Sequence, residues 1–245
     1  MVVEMRLILL YLLLIPIVFS TSVDVSVVDF INADIVGLRQ EDYGKGTKIS
    51  FESFNSGSIG CQATFRMDIS KDKYSFTAWS NKIIFQPNDR KNIEFYWFPL
   101  NITGNFTIKI KYYCANEIKE LKEFYIKNEN YVYEQPTIDI FSPKFFENKI
   151  VFHIKTNSTG EFVIIPYDYP KGWIIKQKKI YIKNNWPKYV EIEYEKDFWK
   201  NGKINLIIVG KNGEYGIKDF VIKKEPFINE ISFKMASFIN KIFFG

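Results

Sequence analysis

Two segments carry apolar residues at every second position, each with a cysteine at one end: Cys61, Ala63, Phe65, Met67 and Ile69, then Phe106, Ile108, Ile110, Tyr112 and Cys114. Period two sends alternate side chains to opposite faces of an extended chain, so each segment predicts a half-buried strand with its cysteine on the apolar face. Residues 23–30, 49–51, 82–85, 92–97 and 121–126 read as further strands, and so do 137–141, 149–156, 161–166, 173–182, 189–194, 204–209 and 215–222. The abundance of Ile, Val, Phe and Tyr suits pleated, half-buried surfaces. Short strands at regular spacing with turn residues between them predict an all-β chain of sandwiches, not alternating α/β units.

The N-terminus carries an export address. Residues 7–19 are uncharged and almost all apolar, with Arg6 before them and Ser20-Thr21-Ser22 after. That order is a secretory signal, cleaved after Ser22 or retained as an N-terminal anchor. The rest of the chain is then extracytoplasmic, secreted or anchored to the cell membrane. In an oxidising location Cys61 and Cys114, the only cysteines, read as a single disulfide. Two buried thiols are the competing reading, because spacing does not establish how close the two Cα atoms lie. Asn101, Asn105 and Asn157 each open an Asn-x-Ser/Thr triplet, making them candidate glycosylation sites. The net charge is +5, but lysines such as Lys109 and Lys111 alternate with apolar residues along strands. They describe a solvated strand face, and nucleic acid is not an expected partner.

About 220 residues remain after the signal, room for two small sandwiches. The segment 128–136 is polar and aromatic without a clear period, and the boundary is placed there. Landmarks recur on either side. Asn55-Ser56-Gly57 matches Asn157-Ser158-Thr159-Gly160 as a turn between strands; Ile83 precedes Ile93 as Ile180 precedes Val190, by ten; Gly104 and Gly202 each open a long strand. A repeat of this size predicts a duplicated domain. The expected organisation is a signal peptide or anchor at 1–22, immunoglobulin-like β-sandwiches at 23–134 and 135–225, and a C-terminal amphipathic helix at 226–245. Asn55-Ser56-Gly57, the strand with Ile93 and Phe95, Pro99 and Gly104-Asn105-Phe106 resemble the cell-adhesion-related (CARDB-like) immunoglobulin-like modules of bacterial and archaeal surface proteins. Pro170-Lys171-Gly172-Trp173 and the strands after it look like the NEW-type module associated with alpha-galactosidases. The resemblance implies support or association rather than catalysis, and it supplies no catalytic residues.

Catalytic chemistry finds little purchase in the sequence. His153 is the only histidine, so no multi-histidine metal centre forms within one chain, and its strand setting reads as an ordinary sheet position. Gly44-Lys45-Gly46-Thr47 lacks the Ser or Thr that must follow a phosphate-loop lysine and reads as a hairpin. Asp68 and Asp72 lie beside Lys71 and Lys73 and read as a charged turn. No metal or other cofactor is expected. Two features stand above this background. Tyr167, Tyr169 and Trp173 concentrate rings in one segment, as a glycan- or protein-binding loop does, although burial over the core is the commoner use of such rings. After Pro226, Ile228, Ile231, Met235, Phe238 and Ile242 recur at helical spacing with Lys234 and Lys241 off the stripe. Ile231, Met235, Phe238 and Ile242 are therefore candidate contacts to a membrane surface or partner, against the alternative of packing on the chain's own second sandwich.

The expectation is an exported, non-enzymatic structural or adhesion module of the cell envelope. Its partners would be a surface-layer protein, a glycan or a second copy. The alternative is an accessory carbohydrate-binding protein using the loop at 167–173.

Overall fold

Alternation along the chain becomes alternation across sheets. The computed structural model describes residues 29–129, 135–183, 187–196 and 201–223. The first half contributes β1 (Asp34–Tyr43), β2 (Gly46–Phe54), β3 (Cys61–Lys71), β4 (Tyr74–Trp79), β5 (Ile83–Phe85), β6 (Arg90–Trp97), β7 (Gly104–Cys114) and β8 (Glu117–Asn128). The second contributes β9 (Asp139–Phe145), β10 (Lys149–Lys155), β11 (Gly160–Tyr167), β12 (Trp173–Ile175), β13 (Lys178–Ile182), β14 (Lys188–Lys196), β15 (Gly202–Gly210) and β16 (Tyr215–Ile222). The described residues are all-β, and every pairing between these strands is antiparallel. The signal segment at 1–22 and the helix at 226–245, with Ile231, Met235, Phe238 and Ile242, lie outside the described residues.

Four sheets result, in the orders β1-β2-β6, β4-β3-β7-β8 with β5 also on β3, β9-β10-β14-β12, and β13-β11-β15-β16. No sheet takes strands from both sides of residues 129–138. The two halves share a layout: β1-β2-β6 answers to β9-β10-β14, and β5, β3, β7 and β8 answer to β13, β11, β15 and β16. The sequence landmarks fall at matching places. Gly104 opens β7 as Gly202 opens β15, and the two Asn-Ser turns each join the second strand of a half to the third.

Each half closes a core between facing sheets. In the first, Ile49, Phe51, Ile93 and Phe95 of one sheet meet Phe65, Met67, Ile108 and Ile110 of the other, with the Phe51 and Phe65 rings 5.9 Å apart. In the second, Ile150, Phe152 and Ile192 face Phe162, Ile164, Leu206 and Ile208. Cys61 and Cys114 form a disulfide with Cα atoms 5.8 Å apart. It stitches two neighbouring strands of one sheet, since Ala63 stands opposite Cys114 in the β3–β7 ladder.

Three elements differ from the sequence reading. The strand expected at 23–30 lies largely outside the described residues, and Asp29 and Phe30 are not in a strand. The strand found is β1, a mostly exposed edge strand that lacks apolar alternation and pairs with β2 through a hairpin at Gly44-Lys45. The strand β4 returns through a turn at Asp72-Lys73, the expected charged turn, whereas Asp68 sits on β3 bound to Arg66 at 2.6 Å and Lys111 at 3.0 Å. The single strand expected at 173–182 is two strands in different sheets. The chain leaves β14's edge at Ile175 and joins β11 at Lys178, crossing through Lys176 and Gln177.

The central strands β11 and β15 of the sheet β13-β11-β15-β16 are covered on both faces. Phe162 and Ile164 of β11 enter the second core, while Val163 and Ile165 join the first-half cluster; Leu206 and Ile208 of β15 divide from Ile207 and Val209 in the same way. Strands buried on both faces need unbroken apolar runs, and Phe162-Val163-Ile164-Ile165 and Leu206-Ile207-Ile208-Val209 are such runs. From Ile31 onwards the described residues thus belong to one compact unit.

Candidate functional site

The junction between the halves takes in two of the three rings that the sequence singles out for binding, Tyr167 and Tyr169. Tyr167 stacks on Tyr74 and Phe76 of β4, with ring centres 6.1 and 6.2 Å apart. The Tyr169 hydroxyl donates to the Thr77 carbonyl at 3.3 Å, and burial pushes its titration well up. Trp173 is 3% exposed and stacks on Tyr194 at 4.6 Å. These three rings do not form an open platform: two clamp the halves together and the third fills the second core. Large aromatic surfaces gain most by leaving water, and here that gain comes from the chain's own packing.

Other contacts close the junction. The tip of the β1–β2 hairpin abuts the β15–β16 turn so closely that a Cβ on Gly44 would lie 2.2 Å from the Gly210 carbonyl oxygen. Lys45 sits over the Tyr215 ring at 5.3 Å, and Phe98 stacks on the same ring at 5.4 Å. The Tyr43 hydroxyl donates to the Glu161 carboxylate at 3.0 Å, and burial followed by that bond pushes its titration well up.

Gln177, on the crossing between β12 and β13, imitates a strand. Its Oε1 accepts the Tyr96 N–H at 2.8 Å and its Nε2 donates to the Tyr96 carbonyl at 2.5 Å. One carboxamide therefore satisfies both outward backbone groups of an edge residue, as a neighbouring peptide would. Beside it a charge cluster crosses the junction. Glu94 lies 2.5 Å from Lys179 and 2.9 Å from Lys48. Burial works against the Glu94 carboxylate, but hydrogen bonds and charge from the two ammonium groups outweigh it and hold the group down at about 2. Glu195 joins Lys82 of the first half at 2.7 Å and Lys176 at 3.2 Å, and these bonds overcome its burial to lower its titration.

Between these contacts remains a cleft of about 650 Å³. Its walls are Trp79, Ser80, Asn81 and Ile83 from the β4–β5 region, Asn92, Ile93, Glu94 and Tyr96 of β6, Val163 of β11, Lys176 to Lys179, and Ile192 and Glu193 of β14. Junctions between packed bodies are favoured places for binding sites of this size. Ser80 is committed to structure, accepting the Phe65 N–H at 2.9 Å and donating to the Asn81 carbonyl at 2.8 Å.

His153 sits apart from the cleft on β10, between the Phe141 ring at 5.6 Å and the Tyr189 ring at 5.8 Å. The sequon residues Asn101, Asn105 and Asn157 are all exposed. Among the described residues no group of three or more His, Cys, Asp or Glu is placed to hold a metal ion. Sequence reasoning did not find Gln177, Tyr96, Glu94 or Lys179. The signal for a junction lay in the unbroken apolar runs of β11 and β15, which require a partner on each face.

No family model matches the chain, and no curated protein does. Among solved structures it is similar to red sea bream transglutaminase, at 10% identity and a TM-score of 0.31, over 81% of this chain and 32% of that one. A point mutant of Salmonella alpha-2-macroglobulin is similar at 9% identity and a TM-score of 0.26, over 79% of this chain and 16% of that one. The methylamine-reacted form of the Salmonella protein gives 9% identity and a TM-score of 0.25, over 77% and 16%. The chain thus spans a third or less of the length of these structures.

Proposed function

We propose that this chain is an exported structural or adhesion module of the cell envelope, built from two tandem immunoglobulin-like sandwiches that act as one stiff body. The observation that carries the reading is the junction. Its aromatic stacks, the Gln177 clamp and the Glu94 and Glu195 charge clusters are directed at holding the sandwiches in a fixed relation. A fixed relation between two modules is what a spacer or adhesive arm requires, because it transmits force and presents loops at a set distance. The Cys61–Cys114 bridge fits an oxidising location and ties together two central strands of the first sheet pair. The mechanism is passive: the rigid sheets offer edges and end loops to a surface protein, a glycan or a second copy.

The test is surface labelling of intact cells with a membrane-impermeant amine reagent, followed by crosslinking and electrophoresis with and without reductant. The expected result is a labelled chain, a disulfide-dependent mobility shift and covalent attachment to an envelope component or to another copy. Recovery of the chain unlabelled in the cytosol, with both cysteines as thiols, would overturn the proposal.

A further inference from the structure

The second sandwich is buried on a side where its own strands leave it open. Along β10 the side chains of Ile150, Phe152 and Ile154 enter the second core, so Lys149, Val151, His153 and Lys155 point to the outer face of the sheet β9-β10-β14-β12. By register, Lys144 and Phe141 of β9 and Glu191 and Tyr189 of β14 stand beside Val151 and His153 on that face. Outward residues of a sheet with one wet face stay partly exposed, and β2, which holds the corresponding place in the first half, follows that rule with Lys48, Ser50 and Glu52. Val151 breaks it: it is 1% exposed, and among the described residues it joins neither core. Phe146, in the β9–β10 turn with the Lys149 ammonium 5.9 Å from its ring, is also 1% exposed and outside both cores. The His153 Nδ1, between the Phe141 and Tyr189 rings, is likewise sealed from solvent. Side chains rooted in the same sheet ring a valine without roofing it, so burial this complete calls for a further layer.

We propose that this layer is the chain's own C-terminal segment: residues 226–245, in the helical form their spacing predicts, lie along β10 with Ile231, Met235, Phe238 and Ile242 against Phe146, Val151, His153 and the Phe141 and Tyr189 rings. Position, reach and fit choose this occupant. The strand β16 begins beside the start of β9, where the Tyr215 carbonyl accepts the Thr137 and Ile138 N–H groups at 2.9 and 3.1 Å. It runs the same way as β9, because β11 turns back on β10 at 156–159 and β16 is parallel to β11 across β15. The chain therefore leaves β16 at the Phe145–Phe146 end, beside the edge of the covered sheet. From Ile222 to Ile228 six residues span up to about 20 Å, enough to round the β9 edge of a sandwich whose sheets lie about 10 Å apart. A helix rises about 16 Å from Ile231 to Ile242, and β10 runs about 20 Å from Lys149 to Lys155. An apolar stripe facing these rings leaves Lys234 and Lys241 in water. The corresponding face of the first half is polar and needs no such layer. On this arrangement the stripe is spent within the chain, sealing the second sandwich, and is not a contact to a membrane or a partner.

Packing within one chain is independent of where the chain resides, so surface labelling and the measurements here fail separately. In methyl-labelled NMR of the purified full chain, the Val151 methyls should give Overhauser contacts to Met235 and to at least one of Ile231, Phe238 and Ile242. A mixture of differently labelled copies should give no such contact between copies. Phe238→Asp, beyond the last strand of the second sandwich, should abolish the contacts and speed amide exchange over residues 231–242 at least about tenfold, with the β10 and β14 amides still protected. Val151→Asp should do the same from the other side of the contact. If either variant fails to fold, the contacts in the unaltered chain decide the matter. Vesicles of phosphatidylglycerol and phosphatidylcholine are the second probe: the unaltered chain should not sediment with them and should keep its Val151 contacts. The proposal is overturned if Val151 contacts no residue of 226–245, if its contacts run to residues 7–19 or 197–200, or if they form only between copies. Loss of the contacts on vesicles, or exchange rates unmoved by Phe238→Asp, would overturn it as well.

Discussion

Gln177→Met gives the most direct measure of how the halves are joined. Methionine keeps the length of the side chain and removes both polar atoms, so the Tyr96 N–H and carbonyl lose their partners at 2.8 and 2.5 Å. Two neutral hydrogen bonds are worth about 1 kcal/mol each, and a sealed, unpaired backbone group would add about 1 to 3 kcal/mol apiece. The groups are not sealed. They border a cleft of about 650 Å³, roomy enough for water, so the loss should fall at the low end, about 2 kcal/mol. For a cooperative unit of about 200 residues that is a drop of about 4 to 8 °C in Tm by differential scanning calorimetry. The Tyr96 amide should lose exchange protection in parallel. Unchanged stability together with an unchanged Tyr96 exchange rate would refute the strand-mimic reasoning. A loss above about 5 kcal/mol would also refute it, because that requires a dry junction.

Three further outcomes follow from the same geometry. Replacing Cys61 and Cys114 by alanine should cost about 4 kcal/mol in urea unfolding, the chain-entropy value for a bridge spanning 53 residues, and a cost below about 1 kcal/mol would show that the bridge adds little restraint. Glu94 titrates at about 2 in the folded chain against an ordinary 4.5, so its stabilisation is present above pH 4.5 and is lost as pH falls towards 2. With the side chain 34% exposed, solvent screening reduces that stabilisation to roughly 1 kcal/mol; Glu94→Gln should show the cost at pH 7 and not at pH 2, and an equal cost at both would sink the assignment. Gly44→Ala should destabilise by roughly 2 kcal/mol more than Gly37→Ala, since both have positive φ but only Gly44 is pressed against Gly210; equal melting temperatures for the two variants would place the hairpin tip elsewhere.

The sequence was most legible where burial is one-sided. In β3 and β7 a clean period of two marked the core face, and it put both cysteines on the side where they meet. Edge strands were harder, because β1 is held by a hairpin and a ladder and its side chains are mostly exposed. The crossing at Lys176-Gln177 was missed, although the polar stretch from Lys176 to Lys179 parts the apolar residues of β12 from those of β13. The polar contacts of the junction were hidden for another reason. Tyr96 and Gln177 are 81 residues apart, Glu94 and Lys179 are 85, and Tyr43 and Glu161 are 118, so nothing local marks them as partners. The rings at Tyr167, Tyr169 and Trp173 were conspicuous, but composition does not say which side of a surface a ring will face.

Edge strands also bear on what the junction achieves. An open edge invites pairing with any exposed strand, and proteins usually blunt it with charge or a bulge. The β8 edge carries alternating Glu and Lys from Glu117 to Lys127, and β1 has a bulge between Val36 and Arg39. The β6 edge is treated differently. Gln177 closes it at Tyr96, and the second half stands beside the remainder, so Asn92 and Glu94 open into a walled cleft and not onto a flat surface. A whole sheet cannot enter such a space. The packing of the halves therefore shields the β6 edge from pairing with the sheet of another folded copy.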